Sequence, residues 1–491
     1  MTTNTNVGKG APRVVLIATA RPTFAVDTAK QRFDTVRELL IELGADVTGP
    51  TELVMTTEDV EEAAVYLVEE PDLVVNVCAS FSDATPALRL YADLERPPLL
   101  WSFREPGPVG DRLWLNSLCG ANLFGHALVV HAGRTPRLVY GDPGEAGVRA
   151  VLEAALRGDL PAAPELPTYV GERNDNMGAV EAAIQTLRGR RVGLVGEAPP
   201  GFTPSLYDEE KVEQIFGIRI EQITVEDLFA KIQQAPSGDC AAERADALVA
   251  QPSLGDLDPA QVALSAGVTT AMRRWKDQQD LSALAVRCWP EFPTSLGVCP
   301  CSSLSRLADA GTPTACERDV YGAITMMLLE ALGSGTTYLV DTVDLDAEAN
   351  LVRVWHCGSA ATSLAADPGE ATQFVHCNRK IGVAGNFALR TGRVVLARLT
   401  EDPDPRNATG LRLLIASGES ISEPNRFQGN SAAVRLDSSA EDFVYGLVCA
   451  GFPHHTVIAW SDMRPKLRAA ADAYGIPVVE YGSEQHTQEE R

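Results

Sequence analysis

The sequence predicts an α/β protein with parallel sheets in its N-terminal and central regions and a mainly antiparallel β structure at its C-terminal end. An apolar run at residues 13–20 is typical of a buried parallel strand, and a helical pattern follows at 28–43. The same alternation of strand and helix returns after residue 190. After residue 336, strands rich in Val, Thr and Arg are separated by short turn clusters, which indicates an antiparallel sheet or barrel.

The length of the chain predicts more than one domain. Its 491 residues exceed the roughly 250–300 residues at which a single hydrophobic core stops growing. A proline-rich stretch at residues 161–167 indicates a linker. We predict a disordered N-terminus at 1–12, two α/β domains at 13–165 and 166–336, and a C-terminal β domain with a terminal helix at 337–491.

The individual elements follow from local patterns. Apolar runs bounded by turn residues predict strands, and apolar residues spaced three and four apart predict helices. Gly44 is expected to close the first helix, and Gly333-Ser334-Gly335 to end the helix at 315–332. The other predicted elements are strands at 72–79, 98–103, 191–196, 281–289, 338–341, 457–460 and 477–481, and helices at 60–69, 208–216 and 463–474.

The charge of the chain excludes some classes of function. A net charge of −24 argues against nucleic acid or an anionic membrane as the main partner, because both require clustered Lys and Arg. Residues 1–12 lack the basic start and apolar core of a signal peptide, and no apolar run approaches the roughly 20 residues of a membrane span. We therefore expect a cytoplasmic enzyme with a small-molecule substrate.

Common motifs of cofactor binding are not complete in this chain. The ten cysteines are expected to be reduced, structural thiols, since the close pair Cys299 and Cys301 has no second pair at zinc-ribbon spacing. Gly193 and Gly196 do not complete the Gly-x-Gly-x-x-Gly fingerprint of dinucleotide sites, and the Walker A motif is missing. Dinucleotide and nucleoside triphosphate chemistry are therefore disfavoured.

Two acidic residues are the first candidates for catalysis. Glu317 is predicted at the start of the helix at 315–332, and Asp341 at the end of the following strand, so both carboxylates can reach one pocket. A structural interpretation stays open, because acids often cap helix starts and an Asp often forms the turn after a strand. His356 and the His454-His455 pair lie further along the chain, and carboxylate with imidazole suits Mn²⁺ or Mg²⁺.

Two further candidates lie at the ends of predicted strands in the first domain. Arg21 and Trp101 occupy positions at which parallel sheets collect functional residues. A guanidinium and an indole suit a polyhydroxylated ligand, since the first donates hydrogen bonds and the second covers an apolar sugar face. The alternative is a surface ion pair for Arg21 and a core position for Trp101.

Taken together and in order, several short motifs resemble the L-fucose/L-arabinose isomerase superfamily, in particular its L-fucose isomerase-like branch. The resemblance spans about residues 13–481. The residues that carry it are Arg21-Pro22, Trp101, Arg104-Glu105-Pro106, Gly201-Phe202, Tyr207-Asp208-Glu209, Ala315-Cys316-Glu317-Arg318-Asp319-Val320-Tyr321-Gly322, Asp341, His356-Cys357-Gly358 and His454-His455-Thr456.

The resemblance implies two Rossmann-like three-layer domains, followed by a C-terminal mainly antiparallel, barrel-like β domain. It also implies a Mn²⁺ site, at which Mg²⁺ or Co²⁺ is an alternative. Glu317 and Asp341 would bind the metal and shuttle the proton, and His455 would be the third ligand. His454 is the alternative ligand, and His356 is expected at the pocket edge.

The resemblance further implies self-association as a trimer or hexamer, in which Arg21 and Trp101 contact the sugar bound to a neighbouring subunit. The expected reaction is an aldose–ketose isomerisation that moves a proton between C2 and C1 of an open-chain pentose, 6-deoxyhexose or modified hexose through an enediolate. Two alternatives stay open. One is a sugar-binding or regulatory protein without catalysis, and the other is a metal-dependent sugar epimerase or aldolase.

Overall fold

The chain folds into two compact units in a computed structural model, which describes residues 10–69, 71–169, 177–252, 254 and 256–482. Of the predicted disordered N-terminus at 1–12, only residues 10–12 lie inside these ranges. The first unit consists of Met1–Pro106, Trp114–Pro164 and Leu447–Gly451. The second unit consists of Gly107–Leu113, Glu165–Gly446 and Phe452–Arg491.

The first unit contains a parallel sheet with strand order β2-β1-β3-β4-β5. This is one of the two common orders of doubly wound α/β folds. All six residues of β3 are buried, as expected for a parallel strand that is covered on both faces. The elements of this unit are β1 (Arg13–Thr19), α1 (Val26–Glu42), β2 (Asp46–Thr48), α2 (Thr57–Ala64), β3 (Leu73–Cys78), α3 (Thr85–Tyr91), β4 (Leu99–Ser102), α4 (Ser117–His126), β5 (Arg137–Tyr140) and α5 (Ala146–Leu156).

The α/β part of the second unit contains a second parallel sheet, with strand order β7-β6-β8-β9. Helix α12 is buried along most of its length. The elements of this part are α6 (Met177–Gln185), β6 (Arg191–Val195), α7 (Glu209–Phe216), β7 (Arg219–Ile223), α8 (Val225–Gln233), α9 (Ser237–Ala250), α10 (Pro259–Gln279), β8 (Ala283–Val286), α11 (Cys301–Asp309), β9 (Thr314–Cys316) and α12 (Val320–Ala331).

The remaining strands form a large mixed sheet with order β12-β13-β16-β11-β10-β17-β14-β15-β18. Strand β15 also pairs with β16, so the strands β16, β11, β10, β17, β14 and β15 close into a ring of antiparallel pairs. The elements of this part are β10 (Tyr338–Asp346), β11 (Leu351–His356), β12 (Thr372–Phe374), β13 (Ala384–Ala388), β14 (Gly392–Glu401), β15 (Leu411–Ile421), β16 (Asn430–Leu436), α13 (Ala440–Cys449), β17 (His455–Ala459), α14 (Arg464–Tyr474) and β18 (Val478–Tyr481).

The structure confirms the α/β class, with parallel sheets followed by a large, mainly antiparallel sheet. The regions predicted as separate domains at 166–336 and 337–491 lie together in the second unit, and the three-domain division stays a prediction. Within the described part of the chain, no helix is both long enough and apolar enough to cross a lipid bilayer.

One predicted helix starts at a different residue. The helix predicted at 315–332 begins at Val320, because Thr314–Cys316 forms the edge strand β9 beside β8. Ala315 and Cys316 are buried, so this short segment is stabilised by tertiary packing that local helix propensity does not reveal. Asp319 caps the helix by accepting a hydrogen bond from the Gly322 amide.

Gly418 lies where β15 meets β16, and its lack of a side chain is required there. A Cβ at this position would lie 2.3 Å from the carbonyl oxygen of Arg435. The Gly418→Ala variant is therefore expected to lose about 1–3 kcal/mol of unfolding free energy through overpacking. Urea unfolding measures this loss. Gly238→Ala in α9 is the control, since a Cβ there has no neighbour within 4 Å; equal effects of both variants would contradict the steric explanation.

Candidate metal and catalytic site

The candidate site lies in the second unit, where strand pairing brings together residues that are far apart in sequence. Asp341 on β10 lies directly opposite His455 on β17 in an antiparallel pair. Glu317 reaches the same point from the turn between β9 and α12. His455 is fully buried and Asp341 is nearly so. The three residues proposed from the sequence are thus brought together by the barrel strands and the neighbouring turn.

The polar atoms of these side chains converge. The Nε2 atom of His455 lies 3.2 Å from Oε2 of Glu317 and 3.4 Å from Oδ1 of Asp341. The Nε2 atom of His454 lies further away, at 3.9 Å and 4.0 Å from the same two oxygens. Both histidines therefore face the acid pair, and His455 is the closer one.

Asp319 positions His455. Its Oδ2 atom lies 2.8 Å from Nδ1 of His455, so Nδ1 carries a proton and the second nitrogen, Nε2, is directed towards the acid pair. Asp319 also forms a buried ion pair with Arg398. A carboxylate behind a histidine is the usual partner of a metal-binding imidazole, because it fixes the orientation and the tautomer. Sequence reasoning gave no role to Asp319 or Arg398.

The electrostatics of the site favour an ionised Glu317 and a positive charge on His455. Burial would lower the pKa of His455, but hydrogen bonds with Asp319 and Glu317 raise it to about 10. Burial would raise the pKa of Glu317, but hydrogen bonds with His454 and His455 hold it well below its usual value. Burial lowers the pKa of His454 to about 3, so this ring is neutral. The negative charge of Glu317 is therefore paired with a positive charge on His455.

The backbone at Glu317 is in a conformation that side chains rarely adopt. Glu317 and Arg318 have φ angles of 58° and 63°, in the left-handed region. Each such residue costs on the order of 1–3 kcal/mol, and such strain is concentrated at functional sites. The Ser205 hydroxyl donates a hydrogen bond to the Glu317 carbonyl, and the Arg318 amide donates to Val286. These contacts hold the turn that aims Glu317 at the site.

Two aromatic residues form a wall of the site, and sequence reasoning did not predict them as site residues. The indole nitrogen of Trp289 donates a 2.9 Å hydrogen bond to Oε1 of Glu317. The Phe202 ring packs edge-on against Trp289 and His454, with centroid distances of 5.6 Å and 5.5 Å. The available signals were a Trp at the end of a predicted strand and the Gly201-Phe202 motif.

His356 lies beside the site, and its ring carries the proton on Nε2 and not on Nδ1. Its ring centroid is 5.7 Å from that of His455. Its Nδ1 atom accepts a hydrogen bond from the Cys357 amide, so the neutral ring carries its proton on Nε2. Burial lowers the pKa of His356 to about 4, which keeps the ring neutral. This tautomer suits a hydrogen-bond donor at the pocket edge better than a metal ligand.

The residues present fit a divalent cation. Ligand atoms of Asp341, His454 and His455 lie within 4.8 Å of one another, and so do those of Glu317, His356 and His455. Two carboxylates with one or two imidazoles form a mixed oxygen and nitrogen donor set of the kind that Mn²⁺ accepts. A bound ion would displace the Nε2 proton of His455 and take the lone pair of that nitrogen, while Nδ1 keeps the proton that it shares with Asp319.

Comparison with known proteins shows relatives over nearly the whole chain. The sulfoquinovose isomerase of Alkalicoccus urumqiensis is 32% identical over 472 residues, which cover 95% of this chain and 99% of that protein. The sulfoquinovose isomerases of Priestia aryabhattai and of a Clostridium strain are 32% and 30% identical, over 92% and 94% of this chain.

The chain belongs to the sulfoquinovose isomerase family. It is therefore an enzyme of the aldose–ketose isomerase class, and the alternative of a sugar-binding protein without catalysis is wrong. No family model matches the chain. A periplasmic sugar-binding protein of an ABC transporter from Legionella pneumophila aligns with 65% of this chain and 94% of its own, at 13% identity and a TM-score of 0.18, which is too low to support any inference.

The first unit of this sulfoquinovose isomerase family member holds the two predicted sugar-contacting residues. Trp101 is fully buried, and its indole nitrogen donates a 2.9 Å hydrogen bond to the Gly141 carbonyl. The structure thus places Trp101 in the core, the alternative that the sequence left open, and its contact with a sugar stays a prediction. Arg21 is partly exposed and lies over the Phe81 ring at 5.9 Å. Its role towards a sugar stays a prediction.

The cysteines of this family member form no disulfide, and all ten lie in described ranges. Cys301, Cys357 and His376 are close enough to suggest a second metal site, with the two sulfur atoms 3.8 Å apart. However, Nδ1 of His376 accepts hydrogen bonds from backbone amides, which leaves the ring proton on Nε2. Hydrogen bonding to Cys301, followed by burial, raises the pKa of the Cys357 thiol well above its usual value. Both observations favour the predicted structural thiols.

Proposed function

We propose that the enzyme converts sulfoquinovose, a glucose derivative with a sulfonate on C6, into the corresponding ketose, with Mn²⁺ as its preferred metal ion. The proposal is supported by one observation above the others: Glu317, Asp341 and His455 converge in a chain whose relatives are sulfoquinovose isomerases. The sugar named for these relatives is a modified hexose, which was one of the substrate classes expected from the sequence. The L-fucose isomerase-like branch and the trimer or hexamer stay predictions.

The residues of the site have different roles in the proton transfer. Glu317 and Asp341 supply the two carboxylates, one of which removes the proton from C2 of the open-chain sugar, and the proton is returned at C1. The Trp289 indole fixes one oxygen of Glu317, which leaves the other oxygen facing the reaction centre. Glu317, Asp341 and His455 would hold the metal ion, with His454 as the alternative ligand. When bound, the ion supplies Lewis-acid stabilisation of the charge that develops on the sugar oxygens.

The residues around the acid pair support these roles. Phe202 and Trp289 pack against each other on one side of the site, and Phe202 also contacts the His454 ring. Asp319 holds His455 in one tautomer, so that Nε2 keeps its orientation during turnover. The substrate needs no redox cofactor, because the hydrogen moves between adjacent carbons of the same molecule. The acid pair would serve an isomerase, an aldolase or an epimerase equally well. The isomerase is favoured over the metal-dependent aldolase or epimerase because the relatives are isomerases.

The proposed function is tested by stripping the protein of metal and restoring Mn²⁺, Mg²⁺ or Co²⁺ separately. Sulfoquinovose, quinovose, L-fucose and L-arabinose are offered, and NMR follows ketose formation and incorporation of solvent deuterium. We expect ketose from sulfoquinovose, with a rate that falls at least about 100-fold on metal removal, because a Lewis-acid metal contributes several kcal/mol. Conversion that is independent of metal, or restricted to L-fucose or L-arabinose, would contradict the proposal.

A further inference from the structure

The sulfonate of the proposed substrate requires a positively charged group in its binding site. A sulfonate is ionised at every physiological pH, and the chain itself carries a net charge of −24. The overall field of the protein therefore repels this substrate, and the acid pair adds local negative charge. Binding requires a cation near the site that is not already paired with a carboxylate. Arginine is well suited, because its planar fork of donors matches the oxygens of such an anion.

The arginines next to the site residues in sequence or space are mostly committed to other partners. Arg398 is buried and forms an ion pair with Asp319. Arg318 donates hydrogen bonds to the carbonyls of Gly196 and Ser205. Arg287, two residues before Trp289, forms a bidentate pair with Glu291. None of these three guanidinium groups can receive the substrate without losing its partner.

Arg379 differs from them. Its guanidinium carbon lies 5.7 Å from the centre of the Trp289 ring, the ring whose indole nitrogen donates to Glu317. Among the described residues, no carboxylate lies within ion-pair distance of Arg379. The side chain is partly exposed, so a ligand can reach it. Arg379 therefore places an uncompensated positive charge one aromatic ring away from the acid pair.

The backbone that carries Arg379 is held in a defined turn. The His376 amide donates to the Ile381 carbonyl at 2.8 Å, and the Lys380 amide donates to the His376 carbonyl at 3.0 Å. The His376 ring also accepts hydrogen bonds from the amides of Asn378 and Arg379. The chain after the turn is tied to Cys299 by backbone hydrogen bonds in both directions. Such preorganisation lowers the entropic cost of binding a ligand.

We propose that Arg379 binds the sulfonate of the substrate, so that its guanidinium group and the Trp289 ring form the subsite for the C6 end of the sugar. This inference rests on the proposed function. The sugar chain would extend from the acid pair, where C1 and C2 react, across the face of Trp289 to Arg379. An aromatic face suits the apolar side of a sugar, and the arginine fixes its far end. Arg379 would thereby select a sulfonated sugar over its uncharged analogue.

The test compares Arg379→Met, Arg379→Lys and the control Lys380→Met, which removes an exposed charge from the next residue. Because the sulfonate is remote from the reacting carbons, its loss removes binding energy that the ground state and the transition state share. We expect Arg379→Met to raise KM for sulfoquinovose about 100-fold and to change kcat less than about fivefold. Arg379→Lys keeps the charge without the fork, so its KM should lie between those values. Lys380→Met should match the wild type.

Two results would overturn the inference. One is a KM of Arg379→Met within about threefold of the wild type, and the other is an equal rise of KM in Lys380→Met. Thermal unfolding establishes whether the variants are folded. If Arg379→Met is not folded, the comparison with the wild type uses Arg379→Lys. If the wild type converts no sulfoquinovose, the isomerase proposal fails, and calorimetric titration with that sugar still tests the subsite. Binding by the wild type that is lost in Arg379→Met supports the subsite. Equal binding by both proteins, or no binding by the wild type, overturns the inference.

Discussion

Replacing Glu317 with Gln is expected to lower kcat by at least about 1,000-fold while the protein stays folded. The carboxylate is expected both to move the proton and to bind the metal ion, and general acid–base catalysis alone contributes about 10²–10⁴-fold. The amide has no basic oxygen for proton abstraction and no charge for the ion. It can still accept the hydrogen bond of Trp289, so the wall of the site is kept. NMR of ketose formation with sulfoquinovose measures the loss.

Glu291→Gln is the matched control for this variant. Glu291 also follows a strand of the second parallel sheet, but its carboxylate pairs with Arg287 and makes no contact with Asp341 or His455. Its replacement is expected to leave kcat within about twofold of the wild type, since one partly exposed ion pair contributes little. Retention of more than a tenth of the wild-type kcat in Glu317→Gln would show that Glu317 is not the proton-transferring residue.

Replacing Asp319 with Ala is expected to lower the free energy of unfolding by about 3–5 kcal/mol, because it leaves the Arg398 charge buried without a partner. The variant also removes the cap of α12 and the acceptor of the Nδ1 proton of His455. Arg398 is 1% exposed, so water cannot replace the lost carboxylate. Urea unfolding measures the stability, and a metal titration of the folded fraction should show weaker binding, because the orientation of His455 is no longer fixed.

The double variant Asp319→Ala/Arg398→Met tests whether the loss of stability in Asp319→Ala comes from the unpaired charge of Arg398. It removes both members of the ion pair, and buried pairs replaced by apolar groups are often neutral or stabilising. We expect the double variant to be more stable than Asp319→Ala by at least about 1 kcal/mol. A single variant that loses less than about 1 kcal/mol, or a double variant that is less stable than the single one, would be inconsistent with an uncompensated arginine as the cause.

The elements that were predicted well are those whose pattern is local. Strand β1 was predicted at 13–20 and observed at Arg13–Thr19, and helix α14 was predicted at 463–474 and observed at Arg464–Tyr474. A continuous apolar run marks the strand, and apolar residues three and four apart mark the helix. The error at 315–332 has the opposite origin: Thr314–Cys316 becomes a strand only because β8 lies beside it.

In the candidate site too, local motifs could be read from the sequence, whereas contacts between distant residues could not. Glu317, Asp341 and His455 were named from motifs, but nothing local in the sequence states that Asp341 pairs with His455 across two strands. The role of Asp319 was hidden for the same reason, because its partners Arg398 and His455 are distant in sequence. Trp101 was ambiguous from the start, since a tryptophan near a strand end suits a core and a sugar site equally.

The closed ring of strands determines how a metal ion would enter and leave this protein. Strand β10 is hydrogen-bonded to β11 and β17, and β17 to β10 and β14, so the backbone under Asp341 and His455 is fixed on both sides. In small zinc domains the ion is part of the folding reaction, and its removal unfolds the chain. Here the backbone that carries Asp341 and His455 is held by hydrogen bonds between strands, so we expect the fold to form without the ion. If the enzyme binds the proposed ion, we expect exchange of the ion to be a local event, with an occupancy that follows the concentration of divalent ions around the protein.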